Sequence, residues 1–158
     1  MEAREKHISV LTACYNEEEN VAELIKAVVK IFESFPQYEY EHVFIDNCST
    51  DNTVDILKEI ANNNKRVKII VNARNFGHIR SPFHGLIQCN GDAVISLVAD
   101  FQDPPEIIKD FLQKWEDGYK IVIGIKNKSE ENVFIYQVRK FYYNLLAKVA
   151  DSEQIKNL

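Results

Sequence analysis

Five short runs rich in β-branched and apolar residues recur along the chain, and between them the apolar residues return every three or four positions. "ISVLTA" (8–13) stops at Asn16, after which Val21, Leu24, Ile25, Val28, Val29 and Phe32 share one helical face. "EHVFID" (41–46) is followed by "TVDILKEIA" (53–61), with Val54, Leu57 and Ile60 on one side. "VKIIVN" (67–72) reads as a third strand. Ser81 to Gln88 reads as a weaker helix, because Pro82 and Gly85 interrupt its pattern. "DAVISLVAD" (92–100), apolar along most of its length, reads as a strand covered on both faces. A helix from Pro104 to Trp115, a fifth strand "KIVIGI" (120–125) and a last helix carrying Ile135, Val138, Tyr142, Leu145, Leu146 and Val149 complete the series. This alternation leaves few folds open. It predicts an α/β domain with a mostly parallel, doubly wound sheet, helices on both faces and right-handed crossovers. In such sheets ligands sit beyond the carboxyl ends of the strands.

A sheet of this kind needs a core, and 158 residues of which 46% are hydrophobic supply one for a single domain spanning 1–158. The excess of 24 acids over 19 bases, a net charge of −5, argues against a protein that coats nucleic acid. Cys14, Cys48 and Cys89 have neither CxxC spacing nor a partnering histidine pattern, which points to free thiols in a reducing cytoplasm. No apolar run approaches the roughly 18 residues of a membrane span, and "MEAREKH" is no signal peptide. The sequence thus predicts a soluble, cytoplasmic chain.

Unusual polar residues follow every strand: "ACYNEEEN", "DNCSTDNT", "NARNFGH", "ADFQDPPE" and "GIKNKSEE". Some have local duties. Asn16 with Glu19 has the spacing of a capping box, and Ser49 with Asp51 can cap the second helix. Asp103, Pro104, Pro105 and Glu106 stand in the order of an N-cap, an N1 proline and an N3 acid. Asp100 comes two to three residues too early to cap that helix. An uncompensated buried carboxylate there would be costly, so Asp100 is expected to face a cleft that holds a cation or a donor.

Taken together, "CYNEEEN" (14–20), "IDNCSTDNT" (45–53), "RNFGH" (74–78) and "DFQDPPE" (100–106) resemble the successive motifs of family 2 glycosyltransferases, which have the Rossmann-like GT-A fold. The last two are most similar to the polyprenyl-phosphate sugar transferases related to dolichyl-phosphate mannose synthase. The resemblance covers residues 7 to about 150. It implies that Ala13, Tyr15 and Glu17 border the base and ribose of a UDP- or GDP-sugar, that Asp46 accepts a hydrogen bond from the base, and that Arg74 lies near the nucleotide. It also implies that Asp100 and Gln102 belong to the segment holding Mg²⁺ or Mn²⁺ on the donor pyrophosphate, where oxygen ligands suit a hard cation. The sequence departs from the family where an additional acid is frequent and Val98 stands instead, and where Asn47 and Cys48 replace the usual acid and glycine.

A polyprenyl-phosphate acceptor is already ionised near neutral pH and needs cations rather than a general base. Lys126 and Lys128, with Arg139 and Lys140, are expected to supply them, so that Asp100, Lys126 and Lys128 form the catalytic set. The resemblance further implies a truncated domain, whose full-length protein is associated with the cytoplasmic face of a membrane. Two other functions fit the same residues: a family 2 transferase acting on a saccharide hydroxyl, and a nucleotide-binding module without transfer activity.

Overall fold

The structure is a computed structural model that describes residues 6–125. By its contacts the chain divides into two units at Gly118. The first unit carries β1 (Lys6–Cys14), α1 (Val21–Phe32), β2 (Tyr38–Asp46), α2 (Thr53–Asn63), β3 (Val67–Val71), α3 (Gly77–Gln88), β4 (Ala93–Val98) and α4 (Ile107–Glu116). The four strands form one parallel sheet in the order β3-β2-β1-β4. Its register levels the carboxyl ends, since Cys14 pairs with Asp46, Asp46 with Val71, and Ala13 with Val98.

Side chains alternate across the sheet. Ile8 and Val10, with Tyr40, Phe44, Ile95 and Leu97, face α1, α2 and α4 and bury Val21, Leu24, Val28, Leu57, Ile108 and Leu112. The opposite face presents Leu11, Val43 and Ile45, and α3 packs on it. Gly85 makes that second layer possible. A Cβ there would stand 2.7 Å from Leu11 Cδ1 and 2.9 Å from Ile45 Cγ2, so the residue that weakens the helical pattern in the sequence is the one that lets α3 lie on the strands.

Three expectations are corrected. Residues 120–125 form no strand: they carry no regular structure, and Ile121, Ile123 and Ile125 are exposed. β-branched composition favours an extended chain, but a strand exists only where a neighbouring edge takes its backbone hydrogen bonds, and the sheet ends at β4. The helix predicted from Pro104 begins at Ile107, with Glu106 in the N-cap position and no side-chain cap. Its entry is a tight turn in which the Ile107 and Ile108 N–H groups donate to the Pro104 and Pro105 carbonyls. Asn16 and Glu19 do not box α1, whose N-cap position is Asn20. The last helix, Lys126, Lys128, Arg139 and Lys140 lie outside the described residues.

Two polar residues are buried inside β2. Glu41 is held by the Ser9 hydroxyl (2.5 Å), the Asn90 N–H (3.0 Å) and the Lys68 ammonium. Burial pushes its carboxyl up, but these donors outweigh it and leave it below the usual range. His42 packs on the Phe44 ring and meets Thr12 Oγ1 through Nε2 (3.0 Å), while its Nδ1 has no partner among the described residues.

Gly85→Ala should destabilise the protein by about 1–3 kcal/mol despite the better helix propensity of alanine, because the added methyl overpacks Leu11 and Ile45. A urea midpoint equal to or above that of the wild type would contradict this packing. A second expectation concerns acid. Burial pushes the His42 imidazole down to about 3, so the folded state stays neutral where the unfolded chain takes up a proton below about 6.5. The stability from this difference is complete above the unfolded value and is lost as pH falls towards the folded one, at about 1.4 kcal/mol per pH unit. Between pH 7 and pH 5 the wild type should lose about 2 kcal/mol more than His42→Leu, measured by urea unfolding at both values.

Candidate active site

The chain must turn sharply at each strand end, and it does so in unusual backbone conformations. Among the described residues the non-glycine residues with positive φ are Asn16 (56°), Cys48 (68°) and Phe101 (57°), each two or three residues past the end of β1, β2 or β4. Gly77 (82°) opens α3 after β3. Left-handed non-glycine residues persist only where their surroundings hold them, and they gather at functional sites.

Side chains bind these turns to one another. The Asp46 carboxylate, fully buried, accepts from the Ser49 N–H (3.0 Å) and from the Ser49 hydroxyl. Ser49 Oγ in turn accepts the Asn16 N–H (2.9 Å), and Asn16 Oδ1 accepts the Thr50 N–H (2.8 Å). Asp51 Oδ1 accepts from the Thr53 N–H (3.0 Å) and hydroxyl (2.6 Å), its Oδ2 accepts the Glu18 N–H (3.2 Å), and Thr53 Oγ1 accepts the Glu17 N–H (2.8 Å). Burial raises the Asp51 carboxyl, yet these donors hold it below its ordinary value. Ser49 and Asp51 therefore act across two loops, where the sequence spacing suggested caps for one helix. Cys14 lies beneath this network. Burial, with Asp46, Glu17 and Asp51 adding to it, pushes its thiol up to about 12, so it is an inert packing group.

Asn47 extends the network to the third turn. Its Oδ1 accepts from the Phe76 N–H (2.8 Å) and from Asn72 Nδ2 (3.4 Å), while its Nδ2 donates to Asn75 Oδ1 (2.9 Å) and to the Gly77 carbonyl (3.4 Å). Asn72 Nδ2 also reaches Ser81 Oγ (2.9 Å). None of Asn72, Asn75 and Ser81 was singled out in the sequence for a site. Their signal was a row of amides spaced along a loop between strand and helix.

The expected site residues that the structure describes stand at this one end of the sheet. Ala13 lies in β1 between Ile45 and Val98, and the exposed Tyr15 and half-buried Glu17 follow it. Arg74 is exposed, with its guanidinium 4.4 Å from the centre of the Phe76 ring. Asp100 and Gln102 are exposed in the turn after β4, where Asp100 Oδ1 accepts the Gln102 N–H (3.1 Å). Asp100 thus does not cap α4. Both oxygens of Asp46 face Ser49, and these bonds hold the turn together. Val98, at the end of β4, is 41% exposed. Phe76 and Phe101, each 38% exposed, join Tyr15 as aromatic faces open at this end, and the sequence reading assigned neither of them a role. Among the described residues no cluster of three or more His, Cys, Asp or Glu side chains forms a metal cage.

A glycosyl transferase family 2 model matches residues 9–157, almost the whole chain. The chain belongs to glycosyl transferase family 2. Its relatives include an uncharacterized glycosyltransferase, YkcC, of Bacillus subtilis (strain 168), 34% identical over 92% of this chain and 46% of that protein. An undecaprenyl-phosphate 4-deoxy-4-formamido-L-arabinose transferase of Proteus mirabilis (strain HI4320) is also 34% identical, over 89% of this chain and 43% of its own length. This family 2 chain therefore spans less than half the length of these relatives. Among solved structures, S. aureus TarS 1-349 in complex with UDP-GlcNAc matches with a TM-score of 0.60 at 27% identity, over 80% of this chain and 36% of that one. The mannosyltransferase PcManGT from Pyrobaculum calidifontis, solved with GDP-Man and Mn2+, matches at 0.59 and 19% identity, over 72% of this chain and 33% of that one, a likeness of fold. The fold of this family 2 glycosyltransferase is GT-A.

Cys48 occupies a left-handed position that glycine adopts more readily. Cys48→Gly should leave stability unchanged or raise it by up to about 1 kcal/mol, and Cys48→Val should lower it by about 1–2 kcal/mol. Chemical denaturation of the two variants checks the sign; a stable valine variant would show that the turn is not held in this conformation.

Proposed function

We propose that this glycosyltransferase moves a sugar from a UDP- or GDP-sugar to a polyprenyl phosphate, with inversion at the anomeric carbon. The observation that carries the reading is Asp100: an exposed carboxylate in the turn after β4, level with the turn after β1. The likeness to an undecaprenyl-phosphate transferase supports the choice of acceptor.

In this reading the nucleotide lies across the carboxyl ends of β1, β2 and β4, with Ala13, Tyr15 and Glu17 bordering base and ribose and Arg74 drawn from the Phe76 ring towards the phosphates. Asp46 serves the base pocket from below, holding Ser49 and through it Asn16 in place. A direct bond from the base to Asp46 requires the Ser49 turn to open. Asp100 and Gln102 offer oxygen donors of the kind Mg²⁺ or Mn²⁺ takes, and so few protein ligands suit a cation bound mainly by the pyrophosphate. Such an ion would offset the charge that develops on the departing nucleoside diphosphate. An oxygen of the acceptor phosphate forms the new bond to the anomeric carbon as the bond to the diphosphate breaks. The acceptor is an anion already, so no general base is required. Lys126 and Lys128 are assigned to hold it, and in the full-length protein the lipid brings the reaction to the cytoplasmic face of the membrane. No helix among the described residues is long and apolar enough to cross a membrane.

Asp100→Asn should weaken UDP or GDP binding at least tenfold in the presence of Mn²⁺ and leave binding in EDTA unchanged, because only the metal-assisted component uses the carboxylate. Isothermal titration of both proteins with and without the metal tests this. Equal Mn²⁺ enhancement in wild type and variant would remove Asp100 from the donor site.

A further inference from the structure

A cavity of about 230 Å³ opens beside β3 and α3, lined by Asn72, Phe76, Arg80, Ser81 and His84. Its lining sets three donor side chains, Arg80, Ser81 and His84, beside the Phe76 ring and the Asn72 amide. Phe76, Arg80 and His84 follow one another at four-residue spacing and so share one face of the helical segment, with Ser81 beside Arg80. Lys6, Lys26, Lys58, Lys68 and Lys114 each pair with a carboxylate. Arg80 and His84 have no ion pair or hydrogen bond among the described residues, and Arg74 contacts only the ring of Phe76. Ser81 is buried and its oxygen accepts from Asn72, but its own hydroxyl proton has no acceptor among the described residues. Asn72, buried too, is fixed by that bond and by Asn47, so the wall behind Arg80 and His84 is rigid.

We infer that this recess is a phosphoryl-binding site, distinct from the turn that carries Asp100. Arginine presents a planar fork of N–H donors matched to phosphate oxygens, histidine offers a ring N–H whether neutral or charged, and the serine hydroxyl supplies a third donor. A phosphate oxygen only accepts, which is the complement this lining lacks. The volume lies below the roughly 300–1,000 Å³ of sites that enclose a whole small-molecule ligand, so the recess takes one phosphoryl group and the start of its ester. The group belongs either to the nucleotide or to a lipid phosphate. That choice of source rests on the transferase reading above; the site itself does not.

The test titrates the 158-residue protein with inorganic phosphate, UDP, GDP and farnesyl phosphate, using farnesol as the control without a phosphate, and compares Arg80→Gln/His84→Gln with the conservative Arg80→Lys. Both side chains are exposed, and circular dichroism with thermal melting verifies the fold; should the double variant fail to fold, Arg80→Gln alone serves. The expected result is at least a tenfold loss of affinity for a phosphoryl ligand in the glutamine variant, with Arg80→Lys falling between that variant and wild type because its ammonium keeps the charge but not the fork, and with farnesol not bound. Loss confined to UDP and GDP assigns the recess to the nucleotide; loss confined to farnesyl phosphate assigns it to a lipid phosphate. If UDP and GDP fail to bind the wild type while phosphate or farnesyl phosphate binds through Arg80, the transferase reading fails and the recess stands. The inference is overturned if every phosphoryl ligand binds wild type and glutamine variant within twofold, or if none binds the wild type.

Discussion

The carboxylate of Asp46 is the joint on which the working end of this domain is built. It sits out of reach of water at the last position of β2, where an unpartnered charge would be costly, and the backbone and side chain of Ser49 compensate it. Satisfying that carboxylate folds the chain back over itself, and the fold-back places Ser49 where it takes the Asn16 N–H and Asn47 where it holds residues 72–77. Three loops that share no sequence neighbourhood thereby become one surface. The strained conformations of Asn16 and Cys48 are the cost of bringing those loops together, and the level register of the parallel strands is what brings them within reach.

The carboxylates of the domain divide by burial. Asp100 is exposed in its turn, while the buried acids Asp46 and Glu41 are committed to holding backbone. Burial separates the two kinds of carboxylate. A side chain meant for a ligand must keep acceptor capacity in hand, and Asp100, with one oxygen bonded only to the Gln102 N–H, does so.

Much of this was legible in the sequence. Periodicity located all four strands of the sheet and the helices between them to within a few residues, because burial on one face or two writes itself directly into the spacing of apolar side chains. The position of Asp100 was readable because it fell too early to cap a helix. The hydrogen bonds of the turns were not readable. Asn16, Ser49 and Asp51 have the spacing of local caps, and that spacing is silent about a competitor arriving from a loop more than thirty residues away. Residues 120–125 were misjudged for a related reason, since apolar composition records a demand for burial but does not name the edge that would meet it. Pro82 and Gly85 made α3 look weak, although Gly85 is what seats the helix on the sheet. Glu41 and His42 carried a faint signal as polar residues inside an apolar strand, a pattern shared by surface strands.

The position of β1 in the middle of the sheet has a consequence for the order of folding. One edge of β1 is met by β2 some thirty residues later, whereas the other waits for β4, about 85 residues along the chain. On a ribosome, β1, β2 and β3 with α1 and α2 are complete before β4 has been made. Until then the Ser9 hydroxyl and the Glu41 carboxylate lack the Gly91 and Asn90 N–H groups that later occupy them. Closing so long a loop is slow, because its entropy is lost before the new contacts repay it. The half-built sheet therefore lingers with one edge of its central strand bare, and such edges pair readily with other chains. That edge is covered only when residues 90–98 dock on β1 and bring the Asn90 and Gly91 N–H groups to Glu41 and Ser9.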